Sequence, residues 1–116
     1  MNLVDLEKVQ ANCGGDQELQ RELLKMGLER ITTSLAEMGT TVASQDWDGL
    51  SRSIHKLRPI LCYAGIEAFN EELISLEKDS REKTGLAELP ARIGIMTGKL
   101  QQARCELEQV FSELMK

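Results

Sequence analysis

The sequence predicts an all-α protein, an antiparallel up-and-down four-helix bundle preceded by a short additional helix. Only one Trp, one Tyr and two Phe occur among 116 residues, so Leu, Ile and Met must fill the core, which suits packed helices better than sheets. Apolar residues recur three and four positions apart along most of the chain, the period of helices with one buried face. The segments between these runs are short, which makes successive helices antiparallel neighbours. We expect residues 1–116 to form one domain.

Five helices are expected in order along the chain. The first is short and amphipathic, contains Leu3, Leu6 and either Val9 or Gln10, and stops in the run 12–15, where two glycines provide a turn. Four longer helices are predicted to follow, near residues 17–44, 46–63, 66–82 and 89–115.

Capping residues mark most of these boundaries. Asp16 is placed to cap the second helix, and Asp46 or Ser44 the third, because a short polar side chain can accept a bond from the first turn. Gly65 stands where a residue in the left-handed conformation would end the third helix. Pro90 is expected at the first position of the last helix, where its missing N–H costs nothing.

The second and last helices have the longest apolar stripes. That of the second helix is Leu24, Leu28, Ile31, Leu35, Met38 and Val42, and that of the last is Ile93, Met96, Leu100, Ala103, Leu107, Val110 and Leu114. Inside the second helix, Gly27 and Gly39 each cost up to about 1 kcal/mol relative to alanine, and the sequence gives no reason for them. The spacing of Gly94 and Gly98 is interpreted as a place where helices approach closely.

The third helix carries the only histidine, His55, on its outer face. Its apolar stripe recurs at spacings of 4, 3 and 4 and consists of Leu50, Ile54, Leu57 and Leu61. At about 100° per residue, the imidazole projects about 130° from the centre of that stripe and faces solvent. The outer arc around it is expected to hold Asp48, Ser51, Arg52, Pro59 and Cys62, with Arg58 at its edge.

Pro59 is the fourth residue after this histidine, and the apolar period continues through it. Proline has no N–H to donate to the carbonyl of His55, and its ring crowds that carbonyl, so a kink or loosened turn is expected. The compact side chain leaves the face beside His55 low. A second protein can approach such a face closely.

These residues resemble the histidine phosphotransfer (HPt) domain of multistep two-component signalling, whose motif is His-x-Leu-Lys-Gly with a glycine ending the helix. The corresponding stretch is His55-Lys56-Leu57-Arg58-Pro59, followed by Gly65. The resemblance covers nearly the whole chain and includes Gly14-Gly15-Asp16, Asp46-Trp47 and Leu76-Glu77. The sequence departs from the pattern at Arg58, where lysine is usual, and at Pro59, where glycine is usual.

The resemblance implies a carrier rather than an enzyme. His55 would accept a phosphoryl group from the aspartyl phosphate of a receiver domain and pass it to another receiver. Arg58 would neutralise the phosphoryl oxygens, and Glu77 would hydrogen-bond the other ring nitrogen. The partners would be receiver domains and a hybrid histidine kinase, and the receiver would supply Mg²⁺, so the chain needs no metal or cofactor of its own. Docking would involve Arg52, Lys56, Pro59 and Cys62.

Composition narrows the other possibilities. A formal charge of −5 argues against general nucleic-acid binding, which needs concentrated Lys and Arg. Cys13, Cys62 and Cys105 are odd in number and far apart, so we interpret them as free thiols in a reducing compartment rather than as a zinc site or disulfide framework. No leader-like segment and no apolar run of about 20 residues occurs. We expect a cytoplasmic monomer that does not bind membranes.

A second hypothesis remains open from the sequence. A lone exposed histidine is usually an ordinary surface residue, and Glu77 beside Lys78 is equally well explained as a solvated glutamate. On this view the chain is a non-catalytic all-α adaptor that binds a partner protein, with phosphotransfer lost through the change at Pro59. Labelling separates the two, because a phosphohistidine is lost in acid whereas an adaptor takes up no phosphate.

Overall fold

The computed structural model of the chain describes residues 3–115, and within them it contains five α-helices and no β-strand. The all-α class and the helical bundle are confirmed. The helices are α1 (Leu6–Asn12), α2 (Gln17–Ala43), α3 (Trp47–Tyr63), α4 (Asn70–Glu82) and α5 (Leu89–Leu114). The outermost residues of the predicted domain, Met1, Asn2 and Lys116, lie outside the described residues.

Aspartates cap the first three helices. The side chains of Asp5, Asp16 and Asp46 accept hydrogen bonds from the backbone N–H three residues further on, at 3.3, 3.1 and 3.0 Å. Each bond satisfies a donor that has no partner inside its helix. At α3 the capped residue is Gly49, and a β-carbon there would collide with the Asp46 carboxylate. Asp46, rather than Ser44, is therefore the cap of α3.

The bundle is about 45 Å long and 20–23 Å wide. α2 packs against α3 and α5, and α3 packs against α4, whereas α4 and α5 touch less extensively. The buried line of α2 differs from the predicted stripe, because Leu28, Leu35 and Val42 are only partly buried. The residues that face the core of the bundle from α2 are Gln20, Leu24, Gly27, Ile31, Ser34 and Met38.

The packing explains one of the unexplained glycines. A β-carbon on Gly27 would lie 3.1 Å from the β-carbon of Ala64 and 3.4 Å from a methyl of Leu107, so Gly27 lets α2 approach the end of α3 and the side of α5. By contrast, the close approach expected at Gly94 and Gly98 is wrong. A β-carbon at either position would meet no atom within 4 Å, and both residues are exposed, because this side of α5 faces outward.

The start of α4 was predicted too early, since the helix begins at Asn70 and not near residue 66. Ile66 belongs to the end of α3, where its N–H bonds to the carbonyl of Leu61 at 2.8 Å and the N–H of Gly65 bonds to Cys62 at 3.1 Å. With Gly65 at φ 81°, this is a Schellman motif. Ile66 and Phe69 are buried, so the apolar spacing that resembled a helix comes from an irregular segment packed into the core.

The segment before α1 closes one end of the bundle. The N–H of Asp5 donates to the carbonyl of Gly65 at 2.8 Å, and the N–H of Val4 donates to Oε2 of Glu106 at 2.6 Å. Val4 and Val9 are buried against the core. The N-terminal residues are thereby attached both to the end of α3 and to α5.

An ion pair connects α4 with α5. Nη1 of Arg92 lies 2.7 Å from Oδ2 of Asp79, and the hydroxyl of Thr84 donates to Oδ1 at 2.9 Å. These two bonds lower the pKa of Asp79 below its usual value, and the bond with Arg92 has the larger effect. Lys83 ends α4 in the left-handed conformation, as φ 57° shows, and Pro90 is the second residue of α5 rather than the first.

Within the described residues, none of the helices combines the length and apolar character that a bilayer crossing requires.

Candidate functional site

His55 lies on the outer face of α3, and 73% of its side chain is exposed. The stripe that faces the opposite way is fully buried, since Leu50, Ile54 and Leu57 are 0% exposed and Leu61 is 1% exposed. The helix continues through Pro59 to Tyr63. The packing of this stripe against α2 and α4 thus fixes the helix, and the imidazole projects from it into solvent.

Glu77 on α4 contacts the ring of His55. Its Oε2 lies 3.3 Å from Nδ1 of His55, and only 10% of its side chain is exposed. Because an ionised carboxylate can only accept a hydrogen bond, this contact favours the tautomer in which Nδ1 carries the proton. The lone pair is then on Nε2, the ring nitrogen that takes no part in the contact. Of the two interpretations of Glu77, the geometry favours the one in which it orients the ring.

Two arginines share the same carboxylate. Nη1 of Arg58 donates to Oε1 of Glu77 at 2.9 Å, and its Nε donates to Oδ1 of Asn70 at 3.4 Å. Nη1 of Arg81, one turn after Glu77 on α4, lies 3.5 Å from Oε2. Arg58, which was expected beside a phosphoryl group, is therefore hydrogen-bonded to Glu77 and Asn70. Arg81 and Asn70 were not identified from the sequence, although the spacing of four between Glu77 and Arg81 was a usable signal.

A buried hydroxyl helps to hold α4 beside α3. Ser51 is only 8% exposed, and its Oγ donates to the backbone carbonyl of Glu77 at 3.3 Å. Its predicted place on the outer arc is wrong because α4 covers that side of α3. Asp48 is exposed as expected and pairs with Lys83 at 3.4 Å. The contact from Ser51 holds the backbone of Glu77 and therefore fixes the position of its carboxylate along the axis of α3.

The four predicted docking residues divide into two groups. Pro59 and Cys62 border a shallow depression together with His55, Arg58 and Asn70. Arg52 and Lys56 instead border a groove between α3 and α2, whose other lining residues are Ala36, Glu37, Thr40, Thr41, Asp46, Gly49 and Ser53. Only the first group lies beside the Glu77 contact.

A polar network joins α2 to α3 at this groove. Oε1 of Glu37 accepts hydrogen bonds from Arg30 at 2.5 Å and from Ser53 at 3.1 Å. Arg30 also donates from Nε to the buried hydroxyl of Ser34 at 3.1 Å. The hydroxyls of Ser34 and Ser53 are buried, and because each has a partner, the network joins α2 to α3 without leaving these groups unpaired in the core.

The cysteines and acidic residues form no metal centre in residues 3–115, where no three His, Cys, Asp or Glu side chains are clustered suitably. Cys13 is buried, Cys62 is half-buried and Cys105 is exposed. Burial raises the pKa of the Cys13 thiol, which makes it less reactive. The chemistry that the described residues offer is therefore centred on one exposed imidazole, one mostly buried carboxylate and two guanidinium groups.

Comparison with protein-family models and with curated proteins gives no match for this sequence. Comparison with solved structures finds a similar fold in the crystal structure of the HPT domain from the Hpt sensor hybrid histidine kinase from Shewanella. The TM-score is 0.83, the sequences are 21% identical, and the similarity covers 96% of this chain and 95% of that chain. The chain therefore has the helical-bundle fold of an HPt domain.

Proposed function

We propose that this protein is a phosphohistidine carrier of a two-component phosphorelay, with His55 as the phosphoryl acceptor. The observation that carries the proposal is the contact of Nδ1 of His55 with the mostly buried carboxylate of Glu77 at 3.3 Å, on a histidine whose side chain is 73% exposed. A neutral imidazole is a good nucleophile near neutral pH, and here most of the side chain that carries it is exposed. The similarity to the Shewanella HPT domain supports the same role.

The transfer step forms one bond and breaks one. The lone pair of Nε2 attacks the phosphorus of an aspartyl phosphate, and the bond from phosphorus to the aspartyl oxygen breaks with its electron pair on the leaving carboxylate. Nδ1 keeps its proton, so the ring becomes a positively charged phosphoimidazolium. The carboxylate of Glu77 beside Nδ1 stabilises that charge. The imidazole that keeps its proton on Nδ1 is also a good leaving group, so the phosphoryl group can be passed to the aspartate of a second receiver.

The partner supplies the rest of the reaction. Phosphoryl transfer depends mainly on positioning and charge neutralisation, and a receiver domain brings an acidic pocket with Mg²⁺. The low surface at Pro59 and Cys62 gives that pocket access to His55, and Arg52 and Lys56 add positive charge further along α3. The chain acts stoichiometrically rather than as an enzyme, as a monomeric domain in the cytoplasm, with receiver domains and a hybrid histidine kinase as partners.

The test is transfer from a phosphorylated receiver domain in the presence of Mg²⁺. We expect the chain to take up one phosphoryl group that is lost in acid and retained in alkali, with nuclear magnetic resonance placing it on Nε2 of His55. Labelling on Nδ1 would contradict the role of Glu77. Failure to accept phosphate both from receivers and from phosphoramidate, a small donor that needs no docking, would favour the adaptor hypothesis instead.

Replacing Pro59 with glutamine should stabilise the fold and slow transfer. Glutamine restores an N–H for the carbonyl of His55, so the free energy of unfolding should rise by about 1 kcal/mol. Its long side chain would stand in the depression beside His55, so transfer from a receiver should slow about tenfold through poorer positioning. Rapid mixing with a labelled receiver, followed by quenching, measures the transfer rate, and urea unfolding measures the stability.

Two controls separate docking from chemistry at Pro59. Pro59→Gly keeps the face low and should transfer at a rate comparable with the parent. Phosphoramidate is small enough to pass the glutamine, so its labelling rate should stay unchanged in Pro59→Gln. Equal receiver transfer by Pro59→Gln and the parent would show that receivers approach His55 over a different surface.

A further inference from the structure

Arg81 has no place in the proposed function so far, although it contacts the centre of the site. Its Nη1 lies 3.5 Å from Oε2 of Glu77, the same oxygen that lies 3.3 Å from Nδ1 of His55. The side chain of Arg81 is 59% exposed, whereas that of Arg58 is 28% exposed and bonded to Asn70 as well. Arg81 is therefore the more loosely held of the two guanidinium groups around the carboxylate.

The charges around His55 show why a second cation matters. Glu77 is a mostly buried carboxylate, and the phosphoryl group brings further negative charge to the opposite nitrogen of the same small ring. Like charges this close repel each other, all the more where the carboxylate is screened from water. Arg58 balances the charge of Glu77 through its bond at 2.9 Å. Only with Arg81 does the cluster of Glu77, Arg58 and Arg81 carry a net positive charge for the phosphoryl group.

We infer that Arg81 is a second phosphoryl-positioning cation and that Glu77 is the resting counter-ion of both arginines. When Nε2 of His55 receives the phosphoryl group, one guanidinium remains paired with Glu77 and the other turns to the phosphoryl oxygens. Arg81 can do so easily because its side chain is mostly exposed and its contact with Glu77 is long. This inference rests on the proposed function and adds a residue from α4 to the site.

A competing explanation is that Arg81 only pairs with Glu77 along α4. Pairs four residues apart on a helix surface contribute little and leave chemistry on a neighbouring helix unaffected. The two explanations differ in one respect. If one guanidinium must stay paired with Glu77 while the other reaches the phosphoryl group, removing the charge of Glu77 frees Arg58 for that role and makes Arg81 much less important for labelling.

The experiment measures the rate at which phosphoramidate labels His55, because this small donor removes docking from the comparison. The variants are Arg81→Gln, Glu77→Gln and the double substitution, with Arg81→Lys as the conservative change. We expect Arg81→Gln to slow labelling about tenfold, Arg81→Lys to recover most of the rate, and Arg81→Gln to slow the Glu77→Gln protein by less than about twofold. Lys78→Gln is the matched control, since it removes an exposed positive charge from α4 that makes no contact with the described cluster, and it should label like the parent.

Two results would overturn the inference. Parent and Arg81→Gln proteins that label at equal rates would leave Arg81 as a helix-surface partner. If Arg81→Gln lowers the labelling rate by the same factor in the parent and in the Glu77→Gln protein, then Glu77 is not the counter-ion that keeps Arg58 from the phosphoryl group. Failure of the proposed function has a different signature, namely a parent protein that is not labelled at all, and that result removes the inference with it.

Discussion

Replacing His55 with alanine should abolish phosphoryl acceptance from both receivers and phosphoramidate while leaving the fold intact. The side chain is 73% exposed, so its loss should change the free energy of unfolding by no more than about 0.5 kcal/mol. Glu77 keeps Arg58 and Arg81 as partners in the variant, and no buried charge is left unpaired. Labelling with a radioactive donor and urea unfolding of the same preparation measure the two effects.

The Lys25→Ala variant serves as the control for His55→Ala. Lys25 is also exposed, on α2, and it borders neither the depression nor the groove, so its removal should leave phosphoramidate labelling unchanged. Label retained by the His55→Ala protein would place the acceptor at another residue. A loss of several kcal/mol would mean that the imidazole supports the packing of α3 and α4, in conflict with its exposure.

Gly65→Ala should be among the most destabilising single substitutions in the chain. Gly65 adopts φ 81°, and a β-carbon there would lie 2.6 Å from the carbonyl oxygen of Asp5 and 2.9 Å from a methyl of Val9. The strained backbone and the collision with main-chain atoms together should cost about 3 kcal/mol. Thermal and urea unfolding measure the loss, which should be accompanied by weaker hydrogen-exchange protection of Asp5.

Gly98→Ala is the matched control for this substitution. Gly98 lies inside α5, and a β-carbon there would meet no atom within 4 Å. Alanine should therefore stabilise the protein by up to about 1 kcal/mol, because it favours the helix over the unfolded chain. Equal stabilities of the Gly65→Ala protein and the parent would mean that the N-terminal segment does not pack against Gly65 in solution.

Periodicity predicted the helices well because it reports directly on burial. It placed α2, α3 and α5 to within about a residue or two. Asp16 and Asp46 marked the starts of α2 and α3 through local capping. It failed at the start of α4, where Ile66 and Phe69 are buried without being helical. Apolar spacing alone cannot distinguish a helix from an irregular segment whose side chains enter the same core.

The candidate site was less accessible to sequence reasoning because its contacts cross between helices. The outward direction of His55 follows from the period of α3 alone. The place of Ser51 depends on which side α4 covers, and the partners of Arg58 depend on where Asn70 and Glu77 lie relative to it. The resemblance pointed to Glu77, but the convergence of Arg81 on the same carboxylate required the packing of α4 against α3 to be known.

If the protein is the proposed carrier, the exposure of His55 also limits how long a phosphoryl group stays on the imidazole. A phosphoryl group on an imidazole that stands in water is open to hydrolysis, so its lifetime depends on the chemistry of the bond more than on shielding by the bundle. Delivery then succeeds only if a receiver arrives first. With association rate constants of about 10⁵–10⁷ M⁻¹s⁻¹, a receiver present at about 1 μM binds roughly once every 0.1 to 10 seconds. Joining carrier and receiver by a short flexible linker raises the effective concentration of the receiver to the millimolar range. The abundance or tethering of receivers would therefore determine which fraction of the phosphoryl groups is transferred before hydrolysis.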